Sequence, residues 1–458
     1  MTRGSWNTPF HAAIPTLGTD RIRVDHAAVR DLVTAYMVRS LDETALRFSL
    51  PVLLDGYRPG AGADGAVGVL IEAIKARVHR EPGLGSIAGI GTLHPGHCLP
   101  NIEPVTVTET AGAIGTNLWR PDNLNRLDDE GLHLVVRGAV PYPGHPSPEA
   151  AGEVADLLQA LLEAIEQTTG RVPESRLAAA RALSADQKDL RQRLPTLGLV
   201  AFVGDGVRPA RRFTHLRCHH RIAGSKEGVH VPFSCPKELD PVEVELAGSG
   251  RVITGLGIRR REVFAVAGSN AEGKSTFLHA VTAGADDHAA GDGREYLVSV
   301  PGIARAEASE RDLAGADVSL FFKSLPPGIG GTPQAVYGRG SGSVVMAHEL
   351  QTAVRKQAPL LIFDEDRSAT NLLVPGCLQS GDVTPLATLL AARRDLLGET
   401  ALLFAASSLD VLIARADRIL TLDGHRAGAI GTEEFRMRMR RHLAEMLDSL
   451  GDGGAEEE

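Results

Sequence analysis

Residues 268–275 read Gly-Ser-Asn-Ala-Glu-Gly-Lys-Ser, and this stretch decides the fold of the domain that contains it. It fits the Walker A pattern G-x-x-x-x-G-K-[ST]. The apolar run Val263–Ala267 before it predicts a β-strand, and the run Thr276–Val281 after it predicts a helix. A strand, a glycine-rich loop and a helix in this order indicate a phosphate-binding loop.

Each residue type in this loop has a chemical reason. The glycines allow main-chain N–H groups to approach phosphate oxygens without a Cβ in the way. The start of the following helix adds the positive end of its dipole. Lys274 supplies an ammonium group for the β- and γ-phosphates of ATP, and the Ser275 hydroxyl suits Mg²⁺. The residues predicted to bind the nucleotide are Gly268, Ser269, Asn270, Ala271, Glu272, Gly273, Lys274, Ser275 and Thr276.

Glu272 is the residue whose charge opposes this prediction, because it places a carboxylate beside the expected phosphate site. The sequence leaves two orientations open. A side chain that points to solvent costs little. One that points inward would weaken nucleotide binding or need a cation.

An apolar run, Leu360–Phe363, ends in two acids, Asp364 and Glu365. This pattern predicts a buried strand of the Walker B type with two carboxylates at its C-terminal end. Asp364 is expected to hold Mg²⁺ through water, and Glu365 is expected to act as the general base that polarises the attacking water. The predicted reaction is hydrolysis of ATP to ADP and phosphate.

The second half of the chain alternates β-type runs with helical segments. This alternation predicts an α/β domain with a mostly parallel sheet. The strands are expected at Leu199–Val203, Val263–Ala267, Leu360–Phe363, Leu402–Ala406 and Arg418–Leu422.

The first part of the chain differs and predicts an α+β domain. Leu132–Val136 is typical of a strand, whereas a helix is expected to start after an N-cap at Ser147 and to end near Gly170. A second, polar helix is expected over Ser184–Arg193. The expected domains are an N-terminal domain at 1–172, an ATPase domain at 173–435, and a helical and acidic, disordered tail at 436–458.

Composition narrows the class of protein. The chain has 458 residues, 43% of them hydrophobic, which is enough for several cores. No apolar run reaches the roughly 18 residues that a membrane helix needs, and the N-terminus lacks a signal-peptide pattern. Four scattered cysteines fit a reducing cytoplasm. A net charge of −9 argues against a generally basic nucleic-acid-binding surface.

A Ser-Gly-Ser turn, Ser341, Gly342 and Ser343, precedes a helical run at Val344–Gln357, just upstream of the acid strand. Free N–H groups at such a helix start suit an anion. The order of loop, turn, acid strand and closing strands at 416–432 resembles an ABC ATPase. That resemblance implies that the turn is the signature motif, which contacts the ATP of a second subunit. It also implies a D-loop at Ser368, Ala369, Thr370 and Asn371.

More narrowly, the chain resembles the soluble proteins described as predicted ATPases of the ABC class. The match is carried by Asp364–Asn371, Gly291–Tyr296, Leu197–Val203 and Val231–Phe233, together with the Ser-Gly-Ser turn. It implies a family-specific N-terminal domain, Mg-ATP, a homodimer that sandwiches the nucleotide, and RNA as the suspected partner.

The chain departs from the ABC pattern at two places. Ser407 and Ser408 stand where ABC proteins have the switch histidine, and the nearest counterpart of the Q-loop glutamine is Lys323. The main hypothesis is therefore an ATP-driven conformational switch whose γ-phosphate sensing differs. The alternative is a nucleotide-dependent RNA- or protein-binding scaffold with little turnover. A small-molecule kinase is disfavoured because Glu365 adjoins Asp364.

For two weaker patterns, a purely structural interpretation is favoured over a binding function. The cluster of His215, Cys218, His219, His220 and Cys235 lacks the paired spacing of a zinc site and is expected to be incidental. The arginines at 208–221 and 436–441 are expected to lie on solvated surfaces, with phosphate contacts as the functional alternative.

Overall fold

A computed structural model describes residues 36–39, 45–78, 80–87, 119, 121–141, 148–209, 231–379 and 381–450. The chain forms two compact units. We call Met1–Lys188 with Phe213–Arg221 the N-terminal unit, and Asp189–Arg212 with Ile222–Glu458 the C-terminal unit. None of the helices within the described ranges has both the length and the apolar content of a transmembrane span.

The N-terminal unit contains an antiparallel sheet with the strand order β1-β2-β4-β3. Its strands are β1 (Tyr36–Arg39), β2 (Ala45–Leu54), β3 (Arg126–Asp128) and β4 (Gly131–Pro141). Its helices are α1 (Ala63–Lys75), a 3-10 helix (Pro82–Ile87) and α2 (Pro148–Gly170), and α3 (Glu174–Arg193) begins in it.

The core of the N-terminal unit lies between this sheet and the helices. Phe48, Leu70 and Ile165 are fully buried members of one apolar cluster. A Cβ at Gly65 would lie 2.0 Å from the carbonyl oxygen of Ala180, so glycine is required where α1 crosses α3. The α+β texture expected from sequence is present in this unit.

The helix predictions for this region hold in part. Helix α2 ends at Gly170 as expected, and the predicted N-cap Ser147 lies outside the described residues. Helix α3 starts at Glu174, ten residues before the predicted start at Ser184. Its first half carries few large apolar residues, and this weakens the periodic signal on which the prediction depended.

The C-terminal unit is built from three sheets and several helices. Its strands are β5 (Leu199–Gly204), β6 (Val242–Glu245), β7 (Val252–Arg259), β8 (Val263–Ala267), β9 (Leu297–Ser299), β10 (Ala304–Arg305), β11 (Arg311–Ala316), β12 (Gly330–Thr332), β13 (Ala335–Gly340), β14 (Leu360–Asp364), β15 (Ala401–Ala406), β16 (Arg418–Asp423) and β17 (Arg426–Ile430). Its helices are α4 (Lys274–Ala283), α5 (Gly342–Arg355), α6 (Thr370–Leu373), α7 (Leu386–Ala392), α8 (Asp410–Ile413) and α9 (Thr432–Leu450), with 3-10 helices at Lys237–Leu239, Glu365–Arg367 and Arg394–Leu397.

The central sheet has the strand order β10-β14-β15-β8-β16-β17. All neighbours in it are parallel except β16 and β17, which form an antiparallel hairpin. The prediction of a mostly parallel sheet is therefore confirmed. Four of the five predicted strands belong to this sheet, and each begins or ends within one residue of its predicted bound.

The fifth predicted strand was assigned to the wrong sheet. Leu199–Gly204 belongs to a separate antiparallel sheet of order β6-β7-β5-β9. All of its residues are buried, so its apolar run looks like that of a parallel strand. A third sheet, β11-β13-β12, is antiparallel, and its glycine-rich strands gave no clear strand pattern.

The central sheet is covered on both faces, which explains its continuous apolar runs. Along β8, Val263 and Ala265 face one core cluster, whereas Phe264 and Val266 face the other. The same alternation holds along β14 and β15. Burial on both faces therefore fixes the register of the strands that carry the candidate site.

Arg418 joins the central sheet to the neighbouring antiparallel sheet. Arg418 on β16 contacts Glu262 at 2.5 Å, and the two side chains are only 10% and 4% exposed. The Arg418 guanidinium also donates to the carbonyl oxygen of Gly257 on β7 at 2.6 Å and lies over the ring of Phe264. Arg418 thus has buried partners both beside β8 and on β7, and these contacts stabilise the packing of the two sheets.

Candidate functional site

The phosphate-binding loop connects β8 to α4. Gly268 leaves the strand with a φ of 146°, and Gly273 precedes the helix with a φ of 99°. A Cβ at Gly268 would lie 2.4 Å from the carbonyl oxygen of Leu422 on β16. Glycine is therefore required at Gly268 both for its backbone angle and for the close approach of the next strand.

The ammonium group of Lys274 lies inside this loop. Its Nζ donates to the carbonyl oxygens of Gly268 and Ser269, each at 2.7 Å. Lys274 is only 8% exposed although it is charged. The two carbonyls hold the ammonium group against the first two residues of the loop.

The orientation of Glu272 is now defined. Its Oε2 accepts a hydrogen bond of 3.0 Å from the main-chain N–H of His425, in the turn between β16 and β17. Ala271, just before it, has a left-handed backbone with a φ of 66°. The carboxylate therefore turns away from the phosphate side of the loop and anchors the loop to the neighbouring hairpin. Of the two orientations that the sequence left open, this contact favours the one directed away from the loop.

The acid pair lies at the same edge of the central sheet as the loop. Strand β15 pairs with β14 on one side and with β8 on the other, with Asp364 opposite Ala405 and Ala405 opposite Val266. Two strand spacings, about 10 Å in total, therefore separate the end of β14 from the start of the loop. Parallel strands end at one edge, so Asp364 and Glu365 face the loop across the exit of β15.

The two acids have different surroundings. Asp364 is 9% exposed, and its carboxylate accepts no hydrogen bond from the residues that the structure describes. Glu365 is half-buried and is tied to the exit of β15. Its Oε2 accepts hydrogen bonds from the main-chain N–H groups of Ser407 and Ser408, and its Oε1 accepts one from the Ser408 hydroxyl.

A hydrogen bond from Ser407 connects the surroundings of Glu365 to the phosphate-binding loop. The Ser407 hydroxyl donates to Oδ1 of Asn270 at 3.1 Å. The sequence had shown Ser407 and Ser408 only as a missing histidine. Their contacts depend on β15 lying between β8 and β14, which no local pattern reveals. The only signal in the sequence was that two hydroxyl residues follow a buried strand.

The Ser-Gly-Ser turn begins helix α5, as predicted. Ser341 is the exposed N-cap residue, and its hydroxyl lies 3.4 Å from that of Ser343. Gly342, the first residue of the helix, packs against Ala308. The N-terminus of α5 is thus open to solvent at Ser341 within this chain.

The predicted D-loop follows the acids directly. The Ser368 hydroxyl donates to the carbonyl oxygen of Asp364 at 2.6 Å, and the N–H of Ala369 points to the sulfur of Met346 on α5. Thr370 and Asn371 begin the short helix α6 and are exposed. The segment therefore ties the acid strand to the helix that carries the Ser-Gly-Ser turn.

Lys323 has its contacts in a different part of the unit. Its Nζ donates to the carbonyl oxygen of Gly381 at 3.0 Å, and its N–H donates to that of Asp382. Glu307, two residues after the edge strand β10 that pairs with the acid strand, instead forms an ion pair with Arg367 at 3.3 Å. No contact in the described part of the chain brings Lys323 to the phosphate-binding loop.

The histidine, cysteine and arginine patterns singled out in the sequence add no described contact to the candidate site. His215, Cys218, His219 and His220 lie outside the described residues. Cys235 is buried, and burial together with the nearby Asp205 raises the pKa of its thiol to about 11. In helix α9, Arg436 and Arg438 pair with Glu433 and Glu434 at 2.5 and 2.6 Å, so part of its basic character is neutralised within the helix.

A glycine-rich loop that fits the Walker A pattern at the end of a buried parallel strand, with two acids at the same sheet edge, is typical of P-loop nucleotide-binding proteins. A family model described as ABC_ATPase, a P-loop domain, matches residues 173–449. The chain belongs to this family.

A relative of this chain is similar over more of its length than the family model is. The protein described as uncharacterized protein MJ1628 of Methanocaldococcus jannaschii is 37% identical over 392 residues, which cover 85% of each chain.

Solved ABC structures are also similar. One is cbiO1 from Clostridium perfringens, part of the ABC transporter complex cbiONQ, at 13% identity and a TM-score of 0.32, covering 54% of this chain and 94% of that one. Another is a bacterial Atm1-family ABC exporter with ATP bound, at 14% identity and a TM-score of 0.29, covering 68% of this chain and 54% of that one. At these TM-scores neither structure informs what this chain binds or does.

Proposed function

We propose that this chain hydrolyses ATP and uses the cycle as a conformational switch. The observation that carries the proposal is the meeting of the phosphate-binding loop, Asp364 and Glu365 at one edge of β8, β15 and β14. The loop supplies the phosphate site, and the adjacent acids supply the metal ligand and the base. These are the parts that phosphoryl transfer to water requires.

Lys274 has the central role in binding the triphosphate. Its ammonium group is already inside the loop and is held there by two carbonyl oxygens. A phosphate oxygen would offer it a full negative charge, which binds an ammonium more strongly than a neutral carbonyl does. The loop amides and the start of α4 add neutral donors around the same point.

Mg²⁺ fits the residues present. Asp364 is a nearly buried carboxylate that accepts no hydrogen bond from the described residues, and this leaves its oxygens available for a cation. Ser275 lies in the first turn of α4, beside Lys274. These two oxygen donors would hold the ion, which would neutralise charge on the β- and γ-phosphates.

Glu365 is the proposed general base. It follows Asp364 directly and is fixed toward the exit of β15, between the loop and the acid strand. A carboxylate in this place would orient and polarise a water for attack on the γ-phosphate. The outward orientation of Glu272 removes the charge that had counted against ATP binding and turnover.

The proposed switch is a homodimer that closes on ATP. Polar side chains lie at the surface at the start of α5, where Ser341 is exposed, and at the exposed Thr370 and Asn371. In the proposed dimer, the α5 start of one subunit caps the nucleotide held by the loop of its twin. Hydrolysis by Glu365 then removes the γ-phosphate that joins them, and the pair opens.

A Glu365→Gln variant tests the switch. The change removes the base and keeps the shape of the side chain, so ATP binds and persists. Analytical ultracentrifugation is expected to show a dimer with ATP and a monomer with ADP. Adding Lys274→Ala is expected to abolish the ATP-dependent dimer, because the phosphate site is lost. An ATP-insensitive monomer for the single variant, measured with ATP shown to be bound, contradicts the switch.

The partner that would use this motion is a protein or an RNA. RNA is the partner that the family resemblance implies, although the net charge of −9 and the ion pairs of Arg436 and Arg438 reduce the attraction for phosphate. Capture with the ATP-trapped Glu365→Gln protein, followed by nuclease treatment of half the sample, distinguishes the two. If nuclease removes the captured partner, the partner is RNA. If a bound protein survives nuclease treatment, the partner is a protein.

A further inference from the structure

The two residues that follow β15 donate hydrogen bonds to the carboxylate of Glu365. Oε2 accepts from two consecutive main-chain N–H groups, those of Ser407 and Ser408, the second at 3.1 Å. Oε1 accepts from the Ser408 hydroxyl. We call residues 407 and 408 the serine turn. The turn thus binds both oxygens of the proposed base.

The position of the serine turn follows from the strand order. Strand β15 lies between β8 and β14, so the chain that leaves it passes between the phosphate-binding loop and the acid pair. Any residue except proline would supply the two main-chain donors here. The hydroxyls, in contrast, require serine or threonine. That of Ser408 contacts Glu365, and that of Ser407 contacts Asn270.

The two hydroxyls point to different partners. The Ser408 hydroxyl donates to Glu365, whereas the Ser407 hydroxyl donates to Oδ1 of Asn270 in the phosphate-binding loop at 3.1 Å. A continuous path therefore runs from Asn270 through the serine turn to Glu365. Both ends of the path belong to parts of the site that a nucleotide would change.

We infer that the serine turn positions the base of this ATPase and senses the nucleotide. Ser408 orients the Glu365 carboxylate so that it can activate the attacking water. Ser407 couples that orientation to the phosphate-binding loop through Asn270. The inference depends on the proposed ATP hydrolysis and names how its base is controlled. Neither serine is a catalytic residue, since each acts through another side chain.

The physical need for such a device comes from the freedom of a glutamate side chain. Glu365 has several rotatable bonds and is half-buried at the end of a strand, so without donors its carboxylate would sample several directions. Hydrogen bonds to a charged acceptor are stronger than those between neutral groups. The two main-chain bonds fix Oε2, and the Ser408 bond fixes the rotation that places Oε1.

The test for Ser408 compares Ser408→Ala with Ser408→Thr. Removing one such bond is expected to lower kcat about tenfold, the effect of about 1.4 kcal/mol. KM for ATP and the affinity for a non-hydrolysable ATP analogue are expected to stay within about twofold, because Ser408 does not face the loop. Threonine keeps the hydroxyl and is expected to recover most of the rate.

Ser319→Ala is the matched control. Ser319 is also exposed, and its hydroxyl also donates to a carboxylate, that of Asp317 at 2.7 Å, outside the site. Its removal is expected to leave kcat unchanged. A loss of rate in Ser319→Ala equal to that in Ser408→Ala would show a general effect of removing surface hydroxyls and would overturn the role of Ser408.

A double-mutant cycle tests the coupling through Ser407. Ser407→Ala and Asn270→Ala are each expected to lower kcat several-fold, and the double variant is expected to be no slower than the slower single variant. Full additivity of the two effects on kcat would show that the hydrogen bond between Ser407 and Asn270 does not couple them. That result would overturn the sensing role of Ser407.

The inference and the proposed function fail in different ways. If the wild-type protein binds ATP but releases no phosphate, the proposed hydrolysis fails. If the wild type releases phosphate and Ser408→Ala does so at an equal or higher rate with an unchanged melting temperature, hydrolysis stands and the positioning role is overturned.

Discussion

The carboxylate of Glu272 accepts a hydrogen bond of 3.0 Å from the main-chain N–H of His425. This contact joins the phosphate-binding loop to the hairpin of β16 and β17, and it explains how an acidic residue is compatible with a site for a triphosphate. The charge that looked unfavourable in the sequence acts as an anchor.

We expect Glu272→Ala to destabilise the C-terminal unit by roughly 1 kcal/mol, because the anchor is a half-buried hydrogen bond to a charged acceptor. The dissociation constant for ATP is expected to change by less than about threefold, since the carboxylate faces away from the phosphates. Urea unfolding and ATP titration measure the two effects. Glu272→Gln keeps an acceptor and is the control. A tenfold tightening of ATP binding in Glu272→Ala would show that the carboxylate does face the nucleotide.

Gly268→Ala is expected to disrupt the loop. The residue has a φ of 146°, and a Cβ would lie 2.4 Å from the carbonyl oxygen of Leu422. The backbone conformation alone costs roughly 1–3 kcal/mol, and the clash adds to it. We expect ATP binding to be lost in a titration and the melting temperature to fall.

Gly250→Ala separates backbone strain from the clash at Gly268. Gly250 has a φ of 66° with no other atom within 4 Å of the added Cβ. Its replacement is expected to cost about 1–2 kcal/mol and to leave ATP binding intact. Equal stability and equal ATP affinity for the two alanine variants would contradict the role assigned to Gly268.

Replacing Arg418 by methionine is expected to cost about 3–5 kcal/mol, because the Glu262 carboxylate, in a side chain only 4% exposed, would be left buried and unpaired. The matched surface pair is Arg260 and Glu399, whose side chains are 46% and 38% exposed. There Arg260→Met is expected to cost less than about 1 kcal/mol. Urea unfolding of both variants provides the comparison, and equal losses would contradict it.

His279 on helix α4 is expected to make stability depend on pH. Burial, followed by the charges of Arg305 and Arg367, lowers the pKa of its imidazole below the ordinary 6.5, and Asp364 and Glu307 oppose this only in part. The folded state therefore favours the neutral imidazole. The stability that this contributes is fully present above the pKa of His279 in the unfolded chain, and it is lost as the pH falls from there through the lowered pKa in the folded protein.

The measurement is urea unfolding of the wild type and His279→Gln at pH 7.5 and 5.5. The wild type is expected to lose more stability between these two values than the variant, which has no titrating group at this position. An identical loss in both proteins would show that His279 is not the source.

The sequence predicted the parts of the fold that local physics determines. Strands β8, β14 and β15 of the central sheet were recognised because both of their faces are buried and their apolar runs are continuous, as in Leu360–Asp364. The loop was recognised because its glycines, Lys274 and Ser275 are a local pattern. Leu199–Gly204 has the same apolar texture, so its place in an antiparallel sheet could not be predicted from its own residues.

The contacts between segments could not be predicted, because they depend on strand order. Ser407 and Ser408 contact Glu365 and Asn270 only because β15 lies between β8 and β14. Glu272 reaches His425 because the last hairpin lies beside β8. In each case the residues are far apart in sequence, and nothing near either partner specifies the other.

If Lys274 and Glu365 belong to one ATPase site, phosphate release from ATP must depend on Glu365, and this is measured by comparing the wild type with Glu365→Gln at matched ATP occupancy. We expect the wild type to release phosphate steadily. Glu365→Gln is expected to bind ATP as tightly but to release phosphate at least about a hundredfold more slowly, the lower end of the range for loss of a general base. Equal rates of phosphate release by the two proteins, with ATP bound to both, would contradict the claim.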